Sequence, residues 1–383
     1  MKKILALILA LVMALSLVAC GEKQPVDVPA DEPTYKVAMV TDYGDITDQS
    51  FNQTTYEACK AFCEPNGVPF AYYKPAGDSD AERIAMIEKA IDDGYNVIVL
   101  PGFAFANAVA GTAPSNPDVK FIALDVSEFD LTSAGLTADT MKNVYAAVYQ
   151  EELCGYMAGY AAVKMGYTKL GFLGGMAVPA VQRYGYGYVQ GADAAAKELN
   201  ITIDMNYIYG GLFYGTADIT AVMDTWYQGG TQVVFACGGG IFTSAVDAAL
   251  KVDGAKVIGV DVDQAGVIAG YAGQSDKSLT ITSAMKGLYP TTVDTLKDVI
   301  INGNWEKYAG KVEALGLVSA TDPEANYVQI PMDSTQWCDA FTQDNYKAMV
   351  KAMFDGTIKV SSDVSAMPAT TNSNVADLGQ IVG

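Results

Sequence analysis

The strongest constraint on the fold is a strand-then-helix alternation that runs through the chain twice. In the first pass "KVAMVT" leads to a helical pattern from about Ser50, and "PFAYYKP" to one from Ala81 to Asp93. "NVIVLPG" leads to one through Phe105 and Ala108, and "KFIALDV" closes the series. A long helix is expected from about Val144 to Met165. The pattern then restarts with "KLGFLGG" before a helix from Ala180 to Leu199, "MNYIYGG" before one from Ala217 to Tyr227, "QVVFACGGG" before one through Ala248, and "AKVIGVDV". Strands separated by helices pair in parallel and are covered on both faces, so the expectation is an α/β protein of two similar lobes, each a parallel doubly wound sheet. A chain of 383 residues suits two lobes, because single cores stop growing near ~250 to 300 residues.

After Asp263 the pattern mixes: "SLTITSAMK", a helix around Thr292 to Ile301, "KVEALGLVSA", "YVQIP" and a late helix near Asn345 to Phe354. The chain is expected to recross between lobes here. The N-terminal lobe is placed at residues 34–142 plus about 272–305, and the C-terminal lobe at 143–271 plus about 306–383.

The first twenty residues read as a separate object. Lys2 and Lys3 precede an unbroken apolar run from Ile4 to Leu15, the pattern of a secretory signal. Leu17-Val18-Ala19-Cys20 matches the bacterial lipobox, in which Cys20 is acylated and becomes the mature N-terminus. The polar, proline-rich stretch 21–33 reads as a flexible tether, and the globular body is expected from near Thr34. The protein is thus placed outside the cytoplasm, touching the membrane through its lipid alone.

Composition removes several function classes. The net charge is −20 with no basic patch, which disfavours nucleic acid as a partner. There is no histidine, so Ser/His/Asp and Cys/His nucleophiles are excluded, and GxSxG is absent. Cys59, Cys63, Cys154, Cys237 and Cys338 form no CxxC, so no metal site is expected. Cys59 and Cys63 lie four apart on a helix and read as a disulfide or as two buried thiols.

In open parallel sheets ligands sit beyond the carboxyl ends of the strands. The residues there are Asp42, Gly102, Asp125, Gly174 and Gly175, Gly238, and Asp261. A strand-end aspartate caps a helix or forms a turn as readily as it binds a ligand, but three converging carry more weight. The glycine-rich turns "GFLGGMA" and "CGGGIFTS" have no GxGxxG, and no lysine precedes Thr243 or Ser244 as a P-loop requires. They read as tight turns or close backbone approaches.

The stretch "VTDYGDITDQSFNQ" places acids at Asp42, Asp45 and Asp48. As a calcium loop it fails: counted from Asp42, positions three, five and twelve are Gly44, Ile46 and Gln53, and from Asp45 they are Thr47, Gln49 and Tyr56. Ser50 and Gln53 instead have the spacing of a capping box, with Asp48 favouring the helix N-terminus. Phe51 and Asn52 then sit in the first turn, where Phe51 serves either the core or a ligand. Asp45 has no evident task.

Five ordered motifs resemble those of the basic membrane protein family, the nucleoside-binding lipoproteins that serve ABC importers. "GDITDQSFNQ" is similar to that family's "DDKSFNQ", although Thr47 and Gln49 replace its first aspartate and its lysine. "CGYMAGYAA" resembles "GYLAG", "GFLGGMAVPAVQRYGYGYVQG" resembles "GGxxxPxVxxFxxGFxxG", "GVDVDQ" resembles "GVDxDQ", and "TSAMKG" resembles "TSxxK". The resemblance implies a type I periplasmic-binding fold, two lobes closing on a ligand in the cleft between them. It implies that Phe51 stacks on a purine while Asn52 hydrogen-bonds its edge. A second aromatic, Phe213, comes from the other lobe. Asp42 and Asp125 would accept from base or ribose, and Asp261 and Lys286 would hold ribose hydroxyls beside the Gly238 backbone. The partners implied are a purine nucleoside and an ABC permease with its ATPase. No cofactor, no catalysis and a monomer are expected. The competing readings are a binding protein for a sugar or autoinducer, and a membrane-tethered sensor.

Overall fold

The computed structural model describes residues 34–42 and 44–381. The signal sequence, the lipidation site at Cys20 and the tether lie outside the described residues. The unit that carries the strands and helices begins at Tyr35.

Two sheets organise it. The first contains β1 (Val37–Val40), β2 (Phe70–Tyr73), β3 (Val97–Pro101), β4 (Lys120–Leu124), β5 (Val144–Tyr149) and β11 (Lys311–Leu315), in the order β11-β5-β4-β3-β1-β2. The second contains β6 (Lys169–Gly174), β7 (Ile203–Tyr209), β8 (Val233–Cys237), β9 (Lys256–Asp261), β10 (Thr280–Lys286), β12 (Val328–Gln329) and β13 (Ser373–Gln380), in the order β12-β10-β9-β8-β6-β7-β13. Every pairing is parallel except that of β10 with β12. The order β2-β1-β3-β4-β5 in one sheet repeats as β7-β6-β8-β9-β10 in the other, so the two alternating runs of sequence build one topology twice.

Helices α1 (Phe51–Cys63), α2 (Asp80–Asp92), α3 (Ala106–Thr112) and α4 (Glu128–Ser133) follow the strands of the first sheet. In the second half come α5 (Glu151–Lys164), α6 (Pro179–Leu199), α7 (Ala217–Gln228), α8 (Phe242–Ala249), α9 (Ala265–Tyr271), α10 (Leu288–Leu296) and α11 (Gln343–Phe354). Local chemistry fixes their ends: α2 starts where the Ser79 hydroxyl accepts from the Glu82 amide at 3.2 Å, and α6 starts on Pro179 and stops at Asn200, whose φ is 53°. Among the described residues no helix is long and apolar enough to cross a membrane.

Helices α5 and α6 touch backbone to backbone. A Cβ on Gly155 or Gly159 would stand 2.2 Å from the carbonyl oxygen of Tyr184 or Tyr188, and one on Gly187 or Gly191 would strike Glu152 or Tyr156 as closely. The glycines in "CGYMAGY" and "YGYGYVQG" are therefore spaced for two helices that interlock, a steric requirement that any side chain would break.

Two expectations are corrected, and one strand was not foreseen. Residues 144–149 form strand β5, and the helix starts at Glu151. "VYAAVY" is a continuous apolar run, and periodicity alone does not separate such a run from a buried helix. Sheet membership also moves the lobe boundaries: β5 and β11 belong to the first sheet, whereas β10, drawn into the N-terminal lobe from sequence, belongs to the second. Helix α10 does return to the first lobe, where it packs on α1. Strand β13, the outer edge of the second sheet, was not foreseen because "SNVADLGQ" is too polar to read as a strand.

The chain crosses between lobes three times, after β5, β10 and β11. These crossings lie side by side: the Gln150 amide donates to the Leu315 carbonyl at 3.0 Å, the Gly287 amide to Tyr327 at 2.7 Å, and the Tyr327 amide to Gly316 at 3.0 Å. Cys59, Cys63, Cys154 and Cys237 are buried free thiols and Cys338 is a half-buried one, so Cys59 and Cys63 form no disulfide here. Burial pushes the Cys63 thiol up to about 12, which keeps it protonated and inert.

Candidate functional site

In each sheet the strand order reverses once, between β1 and β3 and between β6 and β8, and a crevice opens at that point beyond the carboxyl ends. The two crevices share a single cavity of about 930 Å³. Asp42, Phe51, Asn52, Asp125, Phe213, Gly238, Asp261 and Lys286 all line it.

The backbone repeats at the corresponding strand ends. Strands β3 and β8 are followed by Gly102 and Gly238 at φ 127° and 147°, while Asp125, directly after β4, and Asp261, the last residue of β9, have φ 61° and 65°. A non-glycine residue in the left-handed region costs about 1–3 kcal/mol and persists where its surroundings impose it. Both aspartates are thus held turned at the cleft.

On the first lobe, Asp48 caps α1. Its carboxylate accepts from the amides of Ser50, Asn52 and Gln53 at 2.9, 2.8 and 3.1 Å. Burial pushes its pKa upward against those hydrogen bonds. The capping box expected of Ser50 is therefore corrected: Ser50 makes no side-chain cap, because an acceptor two residues earlier already holds the amides. The Asn52 amide donates to Asp42 at 3.3 Å and to Asp48 at 3.2 Å, which fixes its orientation. Its Oδ1 is left buried without a partner at the cavity wall, an acceptor with room for one more N–H. Asp42 also accepts from the Gly44 amide at 2.6 Å. Asp45, which lacked a task, pairs with Lys74 at 2.6 Å and with the Thr47 hydroxyl, and the Lys74 hydrogen bond lowers its pKa. Among the described residues no group of three or more Cys, Asp or Glu is arranged to hold a metal.

On the second lobe the glycine turns make a bed for an aromatic ring. A Cβ on Gly175 would lie 2.5 Å from Phe213 Cδ1, and one on Gly238 2.8 Å from the same atom. The close approach expected of "GFLGGMA" and "CGGGIFTS" is thus an approach to Phe213, which lies over both turns.

Lys286 sits between the walls with its side chain 3% exposed. Its ammonium is 2.5 Å from Asp125, 3.4 Å from Glu151 and 3.7 Å from Asp261, and 4.7 Å from the centre of the Phe51 ring. Burial works against its charge, but Asp125, Asp261 and Glu151 outweigh burial, and its pKa stands above the ordinary lysine value. Glu151 is fully buried; burial raises its pKa while Arg183, at 2.6 Å, and Lys286 oppose that rise. One oxygen of Asp125 receives Lys286, and its Oδ1 has no partner.

Sequence reasoning missed four contributors: Glu151 beneath Lys286, Tyr184, whose hydroxyl donates to Asp261 at 3.1 Å, Ser50 and Gln264. Glu151, an acid opening a helix beside a lobe crossing, carried a faint signal. Tyr184 reads as core in its helix.

The family model for the Bmp family, described as ABC transporter substrate-binding protein PnrA-like, matches residues 35–322. The chain belongs to this family. The match stops short of β12, so α11 and β13 lie beyond it. The chain is 30% identical over 241 residues to the ABC transporter nucleoside-binding protein BmpA of Lactococcus lactis subsp. cremoris, an alignment covering 60% of this chain and 64% of that relative. It is 28% identical over 306 residues to a CD4+ T-cell-stimulating antigen of Listeria innocua, covering 74% and 80%. An ABC transporter solute-binding protein from Aeropyrum pernix K1 shares the fold, with a TM-score of 0.65 at 21% identity over 85% of this chain and 87% of that one. Family and fold together make this an ABC transporter substrate-binding protein with two parallel-sheet lobes.

Proposed function

We propose that this protein captures a purine nucleoside outside the cytoplasm and delivers it to an ABC permease and its ATPase, acting as a monomer held to the membrane by a lipid on Cys20. The observation that carries this reading is the meeting of Phe51 and Phe213, from different lobes, in one cavity with the polar side chains of Asp42, Asn52, Asp125, Asp261 and Lys286. A nucleoside is flat, edged with donors and acceptors, and bears vicinal hydroxyls, so it asks for aromatic faces together with carboxylate acceptors. Phe51 and Phe213 serve the base, Asn52 and Asp42 its edge, and Asp125, Asp261 and Lys286 the ribose. Their roles resemble those the sequence motifs imply, and the name of the Lactococcus relative agrees.

The lining charge narrows the cargo. Asp42, Asp45, Asp48, Asp78, Asp125 and Asp261 face the cavity with Lys286 as the lining cation, and Lys286 is engaged by carboxylates. A phosphorylated nucleoside would add negative charge to this acidic site, so the neutral nucleoside is preferred. The protein binds its cargo without turning it over.

Calorimetric titration of the protein lacking its signal sequence tests the reading. Inosine, guanosine and adenosine are expected to bind, with ribose and inosine 5′-monophosphate giving no heat. Binding of ribose with no binding of any nucleoside would replace the reading with a sugar-binding one.

A further inference from the structure

We infer that Ser50 and Gln49 on the first lobe and Asp261 and Gln264 on the second form a clasp that holds the lobes shut and sets how fast cargo leaves. The Ser50 hydroxyl donates to Asp261 Oδ2 at 2.6 Å, with Ser50 fully buried. The Gln264 amide donates to the Gln49 carbonyl at 3.2 Å, and Gln49 is held at φ 58°, in the left-handed region. These bonds join residues more than two hundred positions apart, on different lobes.

Each half is built for the contact. Ser50 occupies the position before α1, where serine ordinarily caps the helix, but Asp48 takes the helix amides and leaves the hydroxyl to reach across the cleft. Opposite it, Asp261 is turned outward by its own left-handed backbone and steadied by the Tyr184 hydroxyl. Gln264 is buried and locked: its side-chain oxygen accepts from the Val260 amide at 2.9 Å, and its backbone amide donates to Ser283 at 3.2 Å. A hydrogen bond to a carboxylate in a water-excluded place is stronger than one at the surface. Because the contact requires the lobes to be together, its energy belongs to the closed state alone. It therefore slows opening and leaves the encounter with cargo unchanged.

The same arrangement makes Ser50 a positioning residue for Asp261. Its hydroxyl holds the carboxylate that the nucleoside reading assigns to ribose, and the kinetic half of the inference rests on that reading. The clasp itself does not.

The test places one spin label on each lobe and compares the wild type with Ser50→Ala and Ser50→Thr. Interlobe distances are measured by pulsed electron paramagnetic resonance, without ligand and with inosine, and inosine release is followed by stopped flow. Ser50→Ala is expected to shift the distances toward the open separation and to speed inosine release roughly tenfold, with association changed less than about twofold. Ser50→Thr, which keeps the hydroxyl, should restore both. Identical distance distributions in wild type and Ser50→Ala would overturn the clasp, as would a Ser50→Ala defect that merely lowers the thermal midpoint. If the wild type holds no nucleoside, the proposed cargo is wrong, and the distance distributions still decide the clasp.

Discussion

The two lobes share one backbone plan and fill it with opposite chemistry. At the first crevice Asp42 stands two residues beyond the end of β1, and Gly102 leaves room for that carboxylate: a Cβ there would stand 2.9 Å from its oxygen. At the second crevice the matching strand end is glycine, and the space left by Gly175 and Gly238 is taken by the Phe213 ring. The fifth strand of each sheet differs too, ending on Tyr149 in one and Lys286 in the other. A repeated topology fixes where the strand ends converge. Which lobe contributes charge, ring or cation is decided residue by residue.

The largest effect should come from the side chain that joins the lobes. Lys286→Met leaves Asp125, Glu151 and Asp261 without their shared cation, and stripping one partner from a buried charge group costs ~3–5 kcal/mol. Urea unfolding measures it, and an unchanged midpoint would mean that the three carboxylates do not depend on one another.

At the crevices themselves, Asp42→Asn removes a charged acceptor and should weaken inosine binding by ~1.5–3 kcal/mol, the range for hydrogen bonds to charged groups. Gly175→Ala offers the mirror experiment, because its new methyl group must displace Phe213. If Asp42→Asn weakens binding and Gly175→Ala does not, the second crevice contributes no base contact.

Glu152, at the start of α5, sharpens the contrast through pH. Burial raises its carboxyl from 4.5 to about 7 in the folded protein, and its Oε2 has no partner. The folded state therefore favours the protonated form. The stability this gives is full below about pH 4.5 and is lost as pH rises through about 7. Glu152→Gln should flatten the dependence of the thermal midpoint between pH 5 and 8 and stabilise the protein at pH 8 by on the order of 2 kcal/mol. A slope as steep as the wild type's would place the titration elsewhere.

The smallest effect belongs to Asp45 at the rim. Its bond to Lys74 is largely exposed, so Asp45→Ala should cost under about 1 kcal/mol of stability and lose even that in high salt.

The fold was legible because buried parallel strands such as "NVIVLPG" announce themselves, and strand ends are where such folds expose side chains. Asp42, Asp125, Gly238 and Asp261 could therefore be read directly. What was illegible depended on competition between neighbours. Ser50 and Asp48 are both good caps, and sequence does not say which wins. "VYAAVY" suits a buried strand or a buried helix. Glu151 and Tyr184 acquire their roles only from Lys286 and Asp261, residues distant in the chain.

The central claim, that one molecule is gripped by an aromatic from each lobe, is tested most directly by calorimetric titration of inosine into Phe51→Ala and Phe213→Ala. Each substitution is expected to weaken binding by ~1–3 kcal/mol, the range for a base stacked on an aromatic side chain. Wild-type affinity in either variant would contradict the account, because the cargo would then rest on one lobe alone.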